Sequence, residues 1–209
     1  YYIEADAAAG GITGAGTEGD PWTGLGGDAI IQYAIDNGTW DTSGGNRLYL
    51  STHEPYILAS AVDYGAVFSG NDGADNLFAW LPWTGGTSAT TTIDFPSGES
   101  VPCWELDADD AVADPVIGLH THVTYHYGKI HSSTAQWDRG AAEHLIFCEI
   151  YGMGTTSSQI DNSAGKMYGC WIHSDGSVAG QDGCESMSSI VNCLFEGHDD
   201  KGVAYNQAS

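Results

Sequence analysis

The sequence predicts an all-β chain: short strands stacked in a solenoid, with one short helix capping the first coil. Three observations predict it. First, the 209 residues include 29 glycines but only five Lys and Arg, a turn-rich profile that leaves little material for amphipathic helices. Second, short apolar segments alternate with clusters of Gly, Asn, Asp and Pro at fairly even spacing. Third, a Cys-centred phrase returns at Cys148, Cys170 and Cys193, at spacings of 22 and 23 residues.

The elements follow in chain order. Residues 1–46 read as a polar, glycine-rich lead with one strand candidate, Tyr1 to Glu4, and then the helix. In "GGDAIIQYAIDNG", Asp28 is suited to cap the helix, Ile30, Ile31, Ala34 and Ile35 form its apolar stripe, and Gly38 stops it. Residues 47–209 read as one domain of strands. The candidates begin with "RLYLS" (47–51), "PYILAS" (55–60), "GAVFSG" (65–70) and "NLFAWLPW" (76–83). "TTTIDF" (90–95) and "CWELDA" (103–108) continue the series.

The repeat then sets the architecture. Large apolar residues stand two before and two after each Cys: Ile146 and Ile150, Tyr168 and Ile172, Val191 and Phe195. "YHYGKIHSS" fits the same frame, with Gly128 in the Cys place and Ile130 after it. Alternation along a strand predicts that 146/148/150, 168/170/172 and 191/193/195 point inward. A period near 22 residues suits one coil of a parallel β-helix, each stacked on the last. Two outward columns follow. One is Lys129, Glu149, Trp171 and Leu194; the other is His131, Tyr151, His173 and Glu196. A Lys129–Glu149 ion pair is expected between neighbouring coils.

On these residues the chain resembles the right-handed parallel β-helix superfamily, the pectate-lyase-like fold. The opening "GTEGDPWTGLGGDAIIQYAIDNG…NRLYLSTHEPYIL" is similar to the cap helix and first strand of such proteins, and the Cys-centred phrases resemble their coils. The resemblance covers roughly half the chain and implies a fold rather than an activity, because this fold serves lyases, hydrolases, epimerases and virion proteins such as tailspikes. Lyases of the superfamily use Arg or Lys as base and carboxylate clamp, often with Ca²⁺. Here the basic residues are Arg47, Lys129, Arg139, Lys166 and Lys201, and only Lys129 stands in an outward column.

Charge narrows the partners. With 28 Asp and Glu, the net charge is -23. Such a chain repels phosphate backbones and anionic membranes, so neither nucleic acid nor membrane is expected as partner. No run of 18 apolar residues is present. The start lacks Met and a signal peptide, and the end shows no stop signal, so a processed or partial chain with an uncapped last coil is expected. The acidity reads first as solubility in an extracellular or virion setting. No cofactor is expected; Ca²⁺ is the one ion the carboxylates would suit.

The candidate chemistry lies on the outer face. Lys129, His131, Glu149, Tyr151, Trp171, His173 and Glu196 are the candidate ligand-binding residues; no catalytic or metal residue is assigned. Glu149 beside Tyr151, Trp171 and His173 is a patch that suits a sugar ring. Glu105, Asp107, Asp109, Asp110 and Asp114, and Asp199 and Asp200 beside Glu196, are carboxylates that a hydrolase could pair, though Asp-rich stretches read first as solvated turns. His120, His122, His126 and His131 fall short of a metal signature, and read as structural histidines. The five cysteines form no CxxC pair and read as buried thiols, with Cys103 and Cys184 outside the column. "GGITGAG" lacks the Lys and the βαβ setting of a phosphate loop.

The expected function is therefore a non-enzymatic structural or interaction protein: a virion component, capsid-decoration or tail, meeting copies of itself or other surface proteins. The alternative is an extracellular polysaccharide-active enzyme, lyase or glycoside hydrolase, or a glycan-binding module.

Overall fold

The computed structural model describes residues 1–5, 11–59, 62–63, 76–78, 91–107, 116–117, 122–131, 144–152, 158–161, 165–174, 182–198 and 202–204. The segment 65–70, residues 79–83, and the candidates His120, Asp109, Asp110, Asp114, Asp199 and Asp200 lie outside them.

The chain opens with β1 (Tyr2–Ile3) and the helix α1 (Gly27–Asn37). Ile30, Ile31, Ala34 and Ile35 are buried, as the stripe predicts. The start differs from expectation. Gly26 is the N-cap and makes no side-chain bond, while Asp28 lies inside the first turn and accepts a long bond, 3.5 Å, from the Ala59 N–H. The reason is the close approach behind it. Gly27 has φ +32, and a Cβ there would sit 1.5 Å from the Ile57 carbonyl oxygen. Only glycine lets the helix start so near the following strand.

Strands then follow in short steps. β2 (Arg47–Leu50), β3 (Tyr56–Ile57), β4 (Val62–Asp63) and β5 (Asn76–Phe78) come first. β6 (Thr92–Asp94) and β7 (Ser100–Pro102) form a hairpin, the one antiparallel pair among the described strand pairs. β8 (Trp104–Asp107), β9 (Val116–Ile117), β10 (Val123–His126) and β11 (Gly128–His131) lead into the repeats. These are β12 (His144–Ile146), β13 (Glu149–Tyr151) and β14 (Ser158–Asp161); then β15 (Lys166–Tyr168), β16 (Trp171–His173) and β17 (Asp182–Glu185); then β18 (Ser189–Val191), β19 (Leu194–Glu196) and β20 (Val203–Ala204).

The molecule is mostly β, in parallel sheets. A seven-stranded sheet runs β1-β2-β5-β10-β12-β15-β18, a six-stranded sheet runs β19-β16-β13-β11-β8-β3, and a three-stranded sheet runs β14-β17-β20. β4 pairs with β9. Each Cys-centred repeat contributes one strand to each of the three larger sheets, in the same order.

Register turns this order into columns. In the six-stranded sheet Tyr56, Leu106, Ile130, Ile150 and Ile172 lie in line, all buried, with Phe195 next. Leu145, Met167 and Ile190 are aligned in the seven-stranded sheet, and Ile160, Cys184 and Val203 in the third. Cys184 is therefore a core residue of another sheet, stacked on Ile160. α1 packs against β1 and β3 at one end of this core.

One expectation is corrected. Cys148, Cys170, Ile150 and Ile172 are buried, but Ile146 is only half-buried and Tyr168 and Val191 are exposed. The inward residues before each Cys are Leu145 and Met167, one position earlier. The cause is the residue between the strands. Tyr127, Phe147, Gly169 and Asn192 all have left-handed backbone, φ 51, 52, 64 and 53. That kink resets the alternation, so parity cannot be carried through it. The kinks are tied to one another: Phe147 N–H donates to the Tyr168 carbonyl and Gly169 N–H to the Val191 carbonyl, each at 2.9 Å.

Candidate functional site

The seven candidates share one face of the six-stranded sheet. β11, β13, β16 and β19 each present two outward residues around one inward residue. Register places Lys129 beside Glu149, Glu149 beside Trp171, and Trp171 beside Leu194. It also places His131 beside Tyr151, Tyr151 beside His173, and His173 beside Glu196. Both outward columns have the order that alternation after the kink predicts.

The columns extend one strand further than the repeat suggests. β8 adds Glu105 beside Lys129 and Asp107 beside His131. These two carboxylates lie on β8, within the strand candidate 103–108. The signal was present in "WELD": Glu105 and Asp107 flank Leu106 as Lys129 and His131 flank Ile130.

Glu149 is the centre. Although it points outward, it is only 5% exposed, because its neighbours close over it. Its Oε1 lies 2.8 Å from His173 Nε2, and its Oε2 lies 3.9 Å from Lys129 Nζ. Burying a carboxylate is tolerable only when it is bonded and paired in this way. The expected Lys129–Glu149 ion pair is present, with the His173 bond as a second, closer partner.

The rings form the second part. His131 stacks on Tyr151 at 4.9 Å between centroids and 12° between planes. Tyr151 meets His173 at 4.5 Å and 35°. His173 stacks on Trp171 at 3.9 Å and 14°. Trp171 Nε1–H donates to Glu196 Oε2 at 2.9 Å, and His131 Nδ1 lies 3.8 Å from Asp107 Oδ1. The ring faces are thus largely turned on one another, and the polar edges on carboxylates.

Glu105 stands apart electrically. Burial raises its carboxyl above the usual range, and Lys129 beside it only partly offsets that. Behind it, burial pushes the Cys103 thiol up to about 12, so this cysteine is inert as a nucleophile. Burial likewise raises the Cys170 thiol, which donates to the Leu145 carbonyl at 3.3 Å. Cys148 and Cys170 are free thiols buried in the core, and Cys193, also free, is partly buried against it.

Among the described residues, His122 and His126 do not join the site. His122 lies just before β10 with φ 57, so the strand begins after it. His126 is buried, and burial lowers its imidazole to about 4. Among the described residues, no group of three or more His, Cys, Asp or Glu is placed to hold a metal ion. No helix among them is long and apolar enough to cross a membrane.

Searches against protein-family models, curated proteins and solved structures find no match to the chain.

Proposed function

We propose that the chain is a right-handed parallel β-helix acting as a rigid, non-enzymatic interaction module, of the kind that decorates a virion capsid or tail. The coiling is supported by the order of visits: β12, β13, β14, then β15, β16, β17, then β18, β19, β20; the right hand follows the resemblance to the superfamily. The non-enzymatic reading rests on one observation above all. The best acid–base candidate is already engaged, since Glu149 is buried with one oxygen on His173 and the other facing Lys129. A general base must reach its proton at hydrogen-bond distance. Here the reach is taken up inside the protein, and the network braces neighbouring strands instead.

A second reading, glycoside hydrolysis, has one observation in its favour. Glu105 and Glu149 flank Lys129 from opposite sides. Two strand spacings put their backbones about 9.6 Å apart, a separation from which the two carboxyl groups could span the roughly 6.5–9.5 Å of an inverting pair.

One experiment decides between them. Wild type, Glu149→Gln and Glu105→Gln are incubated with acidic and neutral polysaccharides and reducing ends are counted. The expected result is no cleavage by wild type. Cleavage that either variant abolishes would replace the first reading with the second.

A further inference from the structure

Asn37, Gly38 and Thr39 close the helix α1 and open the loop after it. Together they read Asn-x-Thr, the acceptor sequence for N-linked glycosylation. None of the chain's other Asn residues is followed two positions on by Ser or Thr. Three residues match such a pattern readily by chance, so their surroundings decide. Packing explains the middle of the phrase. Trp40 folds back beneath the helix end, its indole N–H donating to the Ile35 carbonyl at 2.8 Å. A Cβ at Gly38 would sit 2.5 Å from that ring, so the fold needs glycine there. Gly38 leaves the helix in extended backbone, φ -67 and ψ 147.

Packing asks nothing of the Thr39 side chain. Thr39 is exposed, and the bond it makes is by its backbone N–H, to the Tyr1 hydroxyl at 2.7 Å, which any residue but Pro would supply. Asn37 is exposed as well. Its side-chain Nδ2 carries two hydrogens, and one is used, in a 2.9 Å bond to the Tyr33 carbonyl. No described group accepts the other. The fold thus presents an amide with a spare N–H and a hydroxyl residue two positions on, both at the surface and both outside the apolar stripe of the helix.

We infer that Asn37 is a modification site, the acceptor of an N-linked glycan delivered from a lipid-linked oligosaccharide diphosphate. In the transfer a bond forms between Nδ2 and the sugar C1, and the bond from C1 to the diphosphate oxygen breaks. The lipid diphosphate leaves with the electron pair, and one Nδ2 proton passes to the transferase's base; nothing is oxidised or reduced. The substituted amide keeps one N–H, enough for the bond to Tyr33. The glycan stands at the capped end, where α1 packs against β1 and β3. Glu149 and its partners lie on β11, β13, β16 and β19, so the proposed interaction face stays open. Transfer occurs where a chain crosses a secretory membrane, so the site rests on the virion setting of the functional reading above.

The test is mass spectrometry of the protein purified from its natural source, intact and after proteolysis. The peptide that holds Asn37 is expected to carry the mass of a glycan, and enzymatic removal of the glycan in heavy-oxygen water should leave labelled Asp at position 37. The same peptide found with unmodified Asn overturns the inference. Secreted expression then checks the acceptor chemistry, with wild type, Asn37→Gln, Thr39→Ala and Thr39→Ser compared by the same peptide mapping. Wild type and Thr39→Ser should be modified, and Asn37→Gln and Thr39→Ala should lose the glycan. A glycan that persists in Asn37→Gln lies elsewhere and overturns the assignment, as does one that persists on Asn37 in Thr39→Ala. Peptide mapping reads occupancy whether or not a variant folds, and circular dichroism reports the fold separately. Failure here is separable from failure of the functional reading: an unmodified Asn37 in a protein that cleaves no polysaccharide sinks only the modification, while polysaccharide cleavage sinks the non-enzymatic reading whatever Asn37 carries.

Discussion

Gly128 shows how tightly single residues are set by the strands above and below. It occupies the place that Cys fills in the later repeats, directly beside Trp104. A Cβ at Gly128 would sit 2.1 Å from the Trp104 ring, which is itself held by an indole N–H bond of 2.6 Å to the His126 carbonyl. The tryptophan uses the space that a side chain at 128 would need. Gly128→Ala is therefore expected to cost about 1–3 kcal/mol through overpacking, measured as a shift in the denaturant midpoint. An unchanged midpoint would mean that the ring can move aside. That Gly128 belongs in the Cys column was legible in the sequence. Why it is Gly was not, because the answer lies in another strand. Glu149 carries the same lesson. Its outward position was legible from alternation, but its burial depends on Lys129 and His173 arriving from neighbouring strands.

At the scale of elements, the helix stripe, the parallel register and both outward columns follow from periodicity. These features repeat along the chain, so a period reveals them. The alternation before each Cys does not follow, because one left-handed residue per repeat resets it. Gly169 and Asn192 hint at this, and at Gly169 a second reason operates: a Cβ there would meet the Phe147 ring at 2.6 Å. At Tyr127 and Phe147 the positive φ is carried by residues that do not advertise it. The two alignments predict opposite outcomes for neighbouring residues. Met167→Thr should cost about 2 kcal/mol or more, since it removes a buried side chain and introduces a hydroxyl. Tyr168→Thr, on the exposed side, should stay within about 0.5 kcal/mol. Equilibrium unfolding of both variants checks this. If Tyr168→Thr proved the costlier, the kink would not reset the face and the original alternation would stand.

At the scale of the whole molecule, acid stability sets two opposed tendencies against each other. A net charge of -23 favours mild acid, because protonating carboxylates relieves self-repulsion. Burial at His126 acts the other way. Its imidazole titrates at about 4 in the folded chain, below its ordinary value, because burial removes the water that would stabilise the cation. As pH falls from about 6.5 towards 4, the unfolded chain takes up this proton and the folded chain does not. Stability from this residue is thus present above the unfolded value and lost through that window. A raw stability profile mixes this loss with the relief of charge, and with Glu105, whose raised carboxyl works in the opposite sense. Comparing wild type with His126→Gln separates the terms, because only the histidine differs. The stability of wild type relative to the variant should fall by up to about 3 kcal/mol between pH 7 and pH 4, read from urea unfolding at each pH. Parallel profiles for the two proteins would show that His126 takes up its proton in the fold as readily as out of it. In that case the acid response of the molecule would belong to its carboxylates and to His198, whose imidazole burial also lowers.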